Sequence, residues 1–266
     1  MRKNKLRELL KQGKPTVSTH VHSIWPGIIE VIGHAGTMDY VEFLAEYAPY
    51  SLHDLENWAR AVELFDMSSM IKVDQANQVY VAQKAIGSGI QNVLFVDVRS
   101  VEDVKKCVQA VRADTPSTKG ILGCADRRNA GWVLEGGSEA YVKSLDEVVV
   151  AIMIEKKSAL DEIEQICEVE GVDMLQFGPC DFSMSIDKPG KGNDPDVKEA
   201  ERKMIKAALK AGIAPRVEIG SFNEDVCKEY MDLGVKHFSV GWDVEIIYKW
   251  MKENGGKMKE ELDKRF

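Results

Sequence analysis

The stretch VVVAIMIEKKSALDEIEQICEVEGVDMLQF, residues 148–177, contains a complete strand–helix–strand unit. It opens with an uninterrupted apolar run, 148–154, which is typical of a parallel strand buried on both faces. The segment 157–171 then repeats its apolar residues every three or four positions, as one face of a helix does. A second apolar run, 172–177, follows directly. Because a helix between two buried strands is the usual crossover of a parallel sheet, this stretch predicts an α/β fold.

The same alternation continues along the whole chain and predicts eight strands. They cover residues 16–21, 40–45, 69–73, 92–96, 148–154, 172–177, 213–219 and 237–241. Helical patterns between them cover residues 51–65, 78–89, 100–114, 157–171 and 194–212. Eight βα units in 266 residues favour a TIM (β/α)8 barrel over a doubly wound sheet, since no Gly-x-Gly-x-x-Gly follows the first strand. We therefore expect one barrel domain over residues 1–266.

The segment 116–141 interrupts this alternation between the fourth and fifth strands. It is long, rich in glycine and carries the pair Arg127-Arg128. Such a segment is either an excursion at an active site or interface, or a plain surface loop, and the sequence does not separate the two.

Composition narrows the classes of partner. The formal net charge is -8, with basic and acidic residues mixed throughout, which disfavours binding to nucleic acid or to an anionic membrane. The five cysteines are scattered and form no Cys-x-x-Cys pair, so we expect a reducing compartment. The basic N-terminus lacks the apolar core of a secretory signal, and no later run is long enough to span a bilayer. These features predict a cytoplasmic protein with a small-molecule partner.

Two carboxylates mark the predicted mouth of the barrel. Glu155 ends the fifth strand and Asp181 follows the sixth, and in a TIM barrel the functional groups stand at these ends. Neighbouring carboxylates repel each other unless a positive charge lies between them. A divalent cation such as Mg²⁺ or Mn²⁺ commonly takes one or two protein carboxylates. The alternative is that each acid simply begins a helix at the surface.

The run IEKKSALDEIEQICEVEGVDMLQFGPCDFSMSI, residues 154–186, resembles the signature of the HpcH/HpaI aldolase/citrate lyase family. Members of this family, the metal-dependent class II pyruvate aldolases, carry Ile-Glu-Thr and then Gly-Pro-x-Asp-Leu-Ser at very similar spacing. Weaker agreement extends from residues 25–36 to residues 233–247. The Gly-Pro-x-Asp-x-Ser motif with its upstream glutamate is specific, whereas the remainder mostly repeats the barrel pattern.

The resemblance implies a metal-dependent carbon–carbon lyase. It assigns Glu155 and Asp181 to a divalent ion (Mg²⁺, Mn²⁺ or Co²⁺) and the backbone amides of Cys180 and Asp181 to the substrate carboxylate. A 4-hydroxy-2-oxoacid would be cleaved to pyruvate and an aldehyde through an enolate that the metal stabilises. Lys72 stands where the family has an arginine and is expected to bind substrate and to stabilise the enolate.

The chain departs from the family where the general base is expected. The family motif Asp-x-Glu-His-Ala-Pro reads LAEYAP here, with Leu44 in place of the acid and Tyr47 in place of the histidine. A phenol is a poor base at neutral pH, so we expect Tyr47 to act as an acid or hydrogen-bond donor, or only to shape the pocket. The glutamine that usually precedes the metal-binding glutamate by two residues is Met153.

Histidines near the end of the first strand are candidates for the missing base. His20 and His22 fall on one face of that strand, and His22 is expected to reach the mouth as a catalytic residue. The pair is also compatible with a metal site, although no third ligand is evident. Glu218 falls at the same rim, where it would select a cationic or hydroxyl-bearing substrate tail, and Asp243 is expected to cap a helix.

Three alternatives stay open. The missing base leaves room for a 2-oxoacid decarboxylase or another lyase of the family, or for a homologue that binds a 2-oxoacid without turnover.

The resemblance also implies a homo-oligomer, a hexamer built as a trimer of dimers that exchange their last helix. Residues 243–256 have the apolar face that such an exchange needs, but the same face would serve for packing on the chain's own barrel.

Overall fold

Eight parallel strands close into a barrel in the computed structural model, which describes residues 2–266. Each strand pairs with the next along the chain, and the eighth pairs with the first. The strands are β1 (Thr16–Val21), β2 (Tyr40–Leu44), β3 (Ser68–Lys72), β4 (Asn92–Phe95), β5 (Val149–Ile154), β6 (Met174–Phe177), β7 (Ala214–Ile219) and β8 (His237–Trp242). The predicted TIM barrel is confirmed, and every predicted strand begins and ends within two residues of the observed one.

Helices surround the barrel. They are α1 (Lys5–Lys11), α2 (Pro26–Ala35), α3 (Leu52–Val62), α4 (Gln78–Ser88), α5 (Val101–Val111), α6 (Glu139–Asp146), α7 (Lys157–Asp161), α8 (Ile163–Cys167), α9 (Pro179–Ser185), α10 (Pro195–Ala211), α11 (Glu224–Asp232) and α12 (Asp243–Arg265). The segment 116–141 contains a short 3-10 helix, Arg128–Ala130, the start of α6, and an isolated antiparallel bridge between Arg127 and Trp132.

The prediction of one helix over residues 157–171 was wrong. Two five-residue helices, α7 and α8, share the intervening Glu162, which has φ −101° and ψ 18°. The Glu162 carboxylate accepts a hydrogen bond of 2.9 Å from the backbone N–H of Val101, at the start of α5. This contact with a neighbouring helix accompanies the break between α7 and α8. The apolar periodicity of the sequence gives no sign of that break.

Apolar side chains fill two separate layers. One lies between the strands and the surrounding helices, and the other lies inside the barrel around Tyr40, Met70, Leu94 and Met174. Leu6 of α1 belongs to the inner layer and closes the barrel at the N-terminal ends of the strands. Buried Lys72 and Glu155 lie at the opposite end, where β3 and β5 finish.

The last helix, α12, projects from the barrel instead of packing along it. A row of large apolar side chains on it is more than half exposed and includes Ile247, Trp250, Met251 and Met258. An apolar groove of about 510 Å³ meanwhile lies open on the outside of β1, β7 and β8. Of the helices formed by residues 2–266, none combines the length and the apolarity needed to cross a membrane.

Candidate active site

Lys72 is the buried cation of the barrel mouth. Its Nζ donates a hydrogen bond of 2.7 Å to the Tyr47 hydroxyl and forms an ion pair of 2.7 Å with the Glu46 carboxylate. Burial alone would lower the pKa of Lys72, but the contacts with Tyr47 and Glu46 outweigh it and hold that pKa above its ordinary value. Lys72 therefore keeps its positive charge at the end of β3.

Tyr47 lies between this cation and a histidine. Its hydroxyl accepts from Lys72, and its ring stacks on the ring of His22 with centroids 5.9 Å apart. Burial raises the pKa of Tyr47 to about 12, against the opposing effect of Lys72. The phenol is therefore protonated at neutral pH and is suited to donating a hydrogen bond.

Glu155 follows β5 and is only 4% exposed. One carboxylate oxygen, Oε1, accepts a hydrogen bond of 2.6 Å from the backbone N–H of Asp97. Burial raises the pKa of Glu155 to about 7, and the nearby carboxylate of Asp181 adds to the rise. A Cβ at Gly178 would lie 2.7 Å from the Glu155 Oε2 atom, so the glycine of the Gly-Pro turn makes room for this side chain.

Asp181 lies in the first turn of α9, just past β6. Because the helix begins at Pro179, the backbone amides of Cys180 and Asp181 have no partner within it. The Cys180 residue is exposed. The Lys156 ammonium is 3.4 Å from the Asp181 Oδ1 atom and 2.7 Å from the Asp97 Oδ1 atom. Sequence reasoning missed both Lys156 and Asp97 as members of this cluster.

A second polar network lies deeper in the barrel and was also missed. Arg216 of β7 is completely buried and pairs with Glu42 of β2 at 2.5 Å. The same guanidinium donates at 2.7 Å to Gln176 of β6, whose amide donates at 3.2 Å to Glu218. Burial would lower the pKa of Arg216, but Glu42 and Tyr40 raise it. The charged residues inside two otherwise apolar strands were the signal that could have revealed this network.

Comparison with known proteins decides the family. The sequence profile that defines the HpcH/HpaI aldolase/citrate lyase family matches residues 20–249. This chain belongs to the HpcH/HpaI aldolase/citrate lyase family. It is therefore an enzyme of the carbon–carbon lyase class, as the sequence predicted.

Curated relatives and solved structures resemble this HpcH/HpaI family member over most of its length. The chain is 26% identical over 249 residues to the 4-hydroxy-2-oxo-heptane-1,7-dioate aldolase of Shigella flexneri, covering 92% of this chain and 89% of the relative. An HpcH/HpaI family protein from Burkholderia cenocepacia J2315 superposes with a TM-score of 0.87 at 23% identity, covering 97% of this chain and 100% of that one. The citrate synthase SbnG superposes with a TM-score of 0.83 at 22% identity, covering 97% and 99%. The two structures establish the shared barrel.

Within this HpcH/HpaI barrel, the two candidate histidines have different surroundings. His20 is buried, its ring stacks on Trp242 with centroids 5.4 Å apart, and its Nε2 is 3.5 Å from a Glu218 oxygen. Burial lowers the pKa of His20 to about 4, so this ring is neutral. His22 instead lies in the loop after β1, against Tyr47. No cluster of three His, Cys, Asp or Glu side chains in residues 2–266 is arranged to hold a metal ion, so a His-x-His metal site gains no third ligand.

The expectation that Asp243 caps a helix was wrong. Trp242 occupies the N-cap position of α12, and Asp243 is its first helical residue. The Asp243 carboxylate instead accepts hydrogen bonds of 2.9 Å from the backbone N–H groups of His22 and Ser23. Closure of the barrel brings the end of β8 next to the end of β1, so the acid holds the loop that carries His22.

Proposed function

We propose that the protein is a divalent-metal-dependent aldolase that cleaves a 4-hydroxy-2-oxoacid to pyruvate and an aldehyde. The observation that carries the proposal is the position of two carboxylates, Glu155 and Asp181, at the ends of adjacent strands of a mouth that also holds the Lys72 cation. The curated relatives named 4-hydroxy-2-oxo-heptane-1,7-dioate aldolase support this reaction, because they match 92% of the chain.

The surroundings of Glu155 fit a divalent ion. Its carboxyl is buried, accepts one backbone hydrogen bond, and has a pKa raised to about 7 mainly by burial. A cation held jointly with Asp181 would restore its ionisation, and oxygen ligands suit Mg²⁺, Mn²⁺ and Co²⁺. When bound, such an ion supplies Lewis-acid stabilisation of negative charge on a 2-oxoacid.

The remaining roles are assigned to groups of the chain itself. The amides of Cys180 and Asp181 at the start of α9 would bind the substrate carboxylate, since both N–H groups lack a helical partner. Lys72, which stays charged, would stabilise negative charge that develops on the substrate oxygen. Tyr47, protonated and bonded to Lys72, would donate a hydrogen bond beside it.

Exchange of pyruvate methyl protons with deuterated water, followed by NMR, tests the proposal. Exchange should depend on added Mg²⁺, Mn²⁺ or Co²⁺ and should vanish in Asp181→Ala. The matched control is Asp232→Ala, which removes an exposed acid from α11. Absence of exchange in the wild type, with Mn²⁺ binding demonstrated by calorimetry, would overturn the pyruvate aldolase proposal.

Decarboxylation of a 2-oxoacid is the second candidate reaction. It is favoured by Tyr47, because a phenol with a pKa of about 12 replaces the histidine base that the family usually carries. Loss of carbon dioxide from oxaloacetate forms the pyruvate enolate without removal of a proton by the enzyme. Rapid metal-dependent decarboxylation without proton exchange would support this alternative, and binding without either reaction would indicate a non-catalytic homologue.

We further infer that the protein is a homo-oligomer whose subunits exchange α12. The apolar row on that helix and the open apolar groove on β1, β7 and β8 support the exchange, because each would cover the other in a neighbouring copy. The family resemblance favours a hexamer built as a trimer of dimers. Five free cysteines agree with a reducing compartment, and we propose that the protein is cytoplasmic.

A further inference from the structure

We propose that His22 is the general base of the reaction and that Asp243 is its positioning residue. This inference rests on the proposed function, because it assigns the proton transfers of the same aldol cleavage. At the mouth, the His22 ring stacks on the Tyr47 ring at an interplanar angle of 23°. Since Tyr47 also accepts a hydrogen bond from Lys72, His22 lies one side chain away from the buried cation.

The two nitrogens of His22 have unlike surroundings. Nδ1 is buried and has no hydrogen-bond partner among residues 2–266, and a carboxylate oxygen of Asp243, Oδ1, lies 3.6 Å from it. The His22 side chain is nevertheless 30% exposed, so the exposed part of the ring lies away from Nδ1. This arrangement favours a proton on Nδ1 and leaves the lone pair of Nε2 available to a substrate.

Asp243 is held firmly enough to direct the ring. Its side chain is 6% exposed, and its two oxygens accept hydrogen bonds of 2.9 Å from the N–H groups of His22 and Ser23. A separation of 3.6 Å exceeds a hydrogen bond, but catalytic contacts commonly shorten when substrate binds. A small rotation of the imidazole about its own side-chain bonds would complete the contact.

Three other titratable groups at the mouth are unsuited to this role. His20 is buried, with a pKa lowered to about 4 mainly by burial, and Tyr47 has a pKa of about 12. Lys72 remains an ammonium group and has no lone pair to offer. Among these four side chains, His22 is the partly exposed one that can offer an imidazole nitrogen to a substrate.

The proton and electron balance of the cleavage is complete with one imidazole. Nε2 of His22 takes the proton of the substrate C4 hydroxyl while the C3–C4 bond breaks. The C4 oxygen becomes the aldehyde carbonyl, and the bonding pair passes into the enolate of pyruvate. The imidazolium then returns its proton to C3, which becomes the methyl group of pyruvate.

Two reactions of the metal-loaded holoenzyme separate this role from a structural one. Exchange of pyruvate methyl protons with deuterated water requires a base, whereas decarboxylation of oxaloacetate reaches the same enolate without one. In His22→Gln we expect exchange to fall by about 100-fold or more, with decarboxylation nearly unchanged. Imidazole added to His22→Ala should restore part of the exchange, and His53→Gln, which alters an exposed histidine of α3, should match the wild type.

Asp243→Asn tests the positioning residue by spectroscopy. In the wild type, nitrogen-15 NMR should show His22 protonated on Nδ1, and the variant should shift the population toward protonation on Nε2. The exchange rate at saturating pyruvate should fall, while the pyruvate concentration for half-saturation stays nearly constant.

Different results of these experiments would overturn the role of His22, the role of Asp243 or the proposed function. Wild-type exchange that persists in His22→Gln overturns the assignment of the base, and so does an equal loss of exchange and decarboxylation, which would indicate a structural role. An unchanged His22 tautomer in Asp243→Asn overturns the role of Asp243. A wild type that shows no exchange with Mn²⁺ bound overturns the proposed function itself, whether or not it decarboxylates oxaloacetate.

Discussion

Asp97 donates its backbone N–H to Glu155 from a left-handed conformation, with φ of 53° and an N to Oε1 distance of 2.6 Å. Glycine adopts this conformation freely, whereas alanine is strained in it. We therefore expect Asp97→Ala to be less stable than Asp97→Gly by about 1 kcal/mol, although both lose the carboxylate. Urea denaturation measures the difference, and equal stabilities would contradict the role given to the backbone.

The metal-free protein should lose stability as the pH rises through the range in which Glu155 ionises. Burial is the main cause that raises the pKa of this carboxyl from 4.5 to about 7. The unfolded chain therefore releases the proton at lower pH than the folded one. Stability is therefore greatest below pH 4.5 for this group and falls by roughly 3 kcal/mol up to about pH 7. Urea titrations with EDTA at pH 5 and pH 8 test this, and Glu155→Gln should abolish this part of the decline.

Replacement of Lys72 should separate charge from shape. Lys72→Met removes the buried cation, and we expect pyruvate exchange to fall by about 100- to 1,000-fold. Lys72→Arg keeps the charge and restores the residue type that the family usually carries, so it should retain much more activity than Lys72→Met. Metal affinity, measured by calorimetry with Mn²⁺, shows whether a loss arises from the ion instead. Equal activity of the two variants would contradict a role for the charge.

Glu218 should select against aldehydes with a second carboxylate. Its side chain is 34% exposed at the rim and accepts a hydrogen bond from Gln176. An anionic tail beside it would be repelled, whereas a hydroxyl-bearing tail could donate to it. In aldol additions with pyruvate, Glu218→Leu should shift the preference from glycolaldehyde toward succinic semialdehyde by roughly 10-fold. An unchanged ratio of the two rates would show that Glu218 does not contact the tail.

Substitution on α12 tests the proposed exchange of this helix. Trp250→Glu places a charge in the exposed apolar row, and we expect it to dissociate the oligomer. Lys259→Glu, on the exposed outer part of the same helix, is the control that should leave the mass unchanged. Light scattering coupled to size-exclusion chromatography gives the mass of each. A wild-type monomer would contradict the exchange directly.

The sequence predicted the strands well because parallel strands buried on both faces read as short apolar runs, as in 148–154. It also predicted that Glu155, Asp181 and Lys72 would stand at strand ends, since strand register fixes those positions. It could not show that Asp97 bonds to Glu155, because that contact depends on a left-handed backbone after β4.

Contacts between distant parts of the chain were beyond sequence reasoning for a different reason. Glu42 and Arg216 are 174 residues apart in the sequence. Asp243 and His22, from whose backbone N–H it accepts a hydrogen bond, are 221 residues apart. Only closure of the barrel, with β8 beside β1, brings the second pair together. The helix break at Glu162 likewise accompanies a contact with α5. The apolar periodicity of residues 157–171 carries no information about that contact.

If α12 is exchanged between subunits as proposed, the folding of each subunit depends on the abundance of the protein. A barrel whose outer groove on β1, β7 and β8 is filled by a neighbour's helix is complete only after assembly. By mass action, the melting temperature of such a protein rises with its concentration. Newly made chains would then pass through a dilute stage with exposed apolar surface, and the rate of synthesis would set how long that stage lasts.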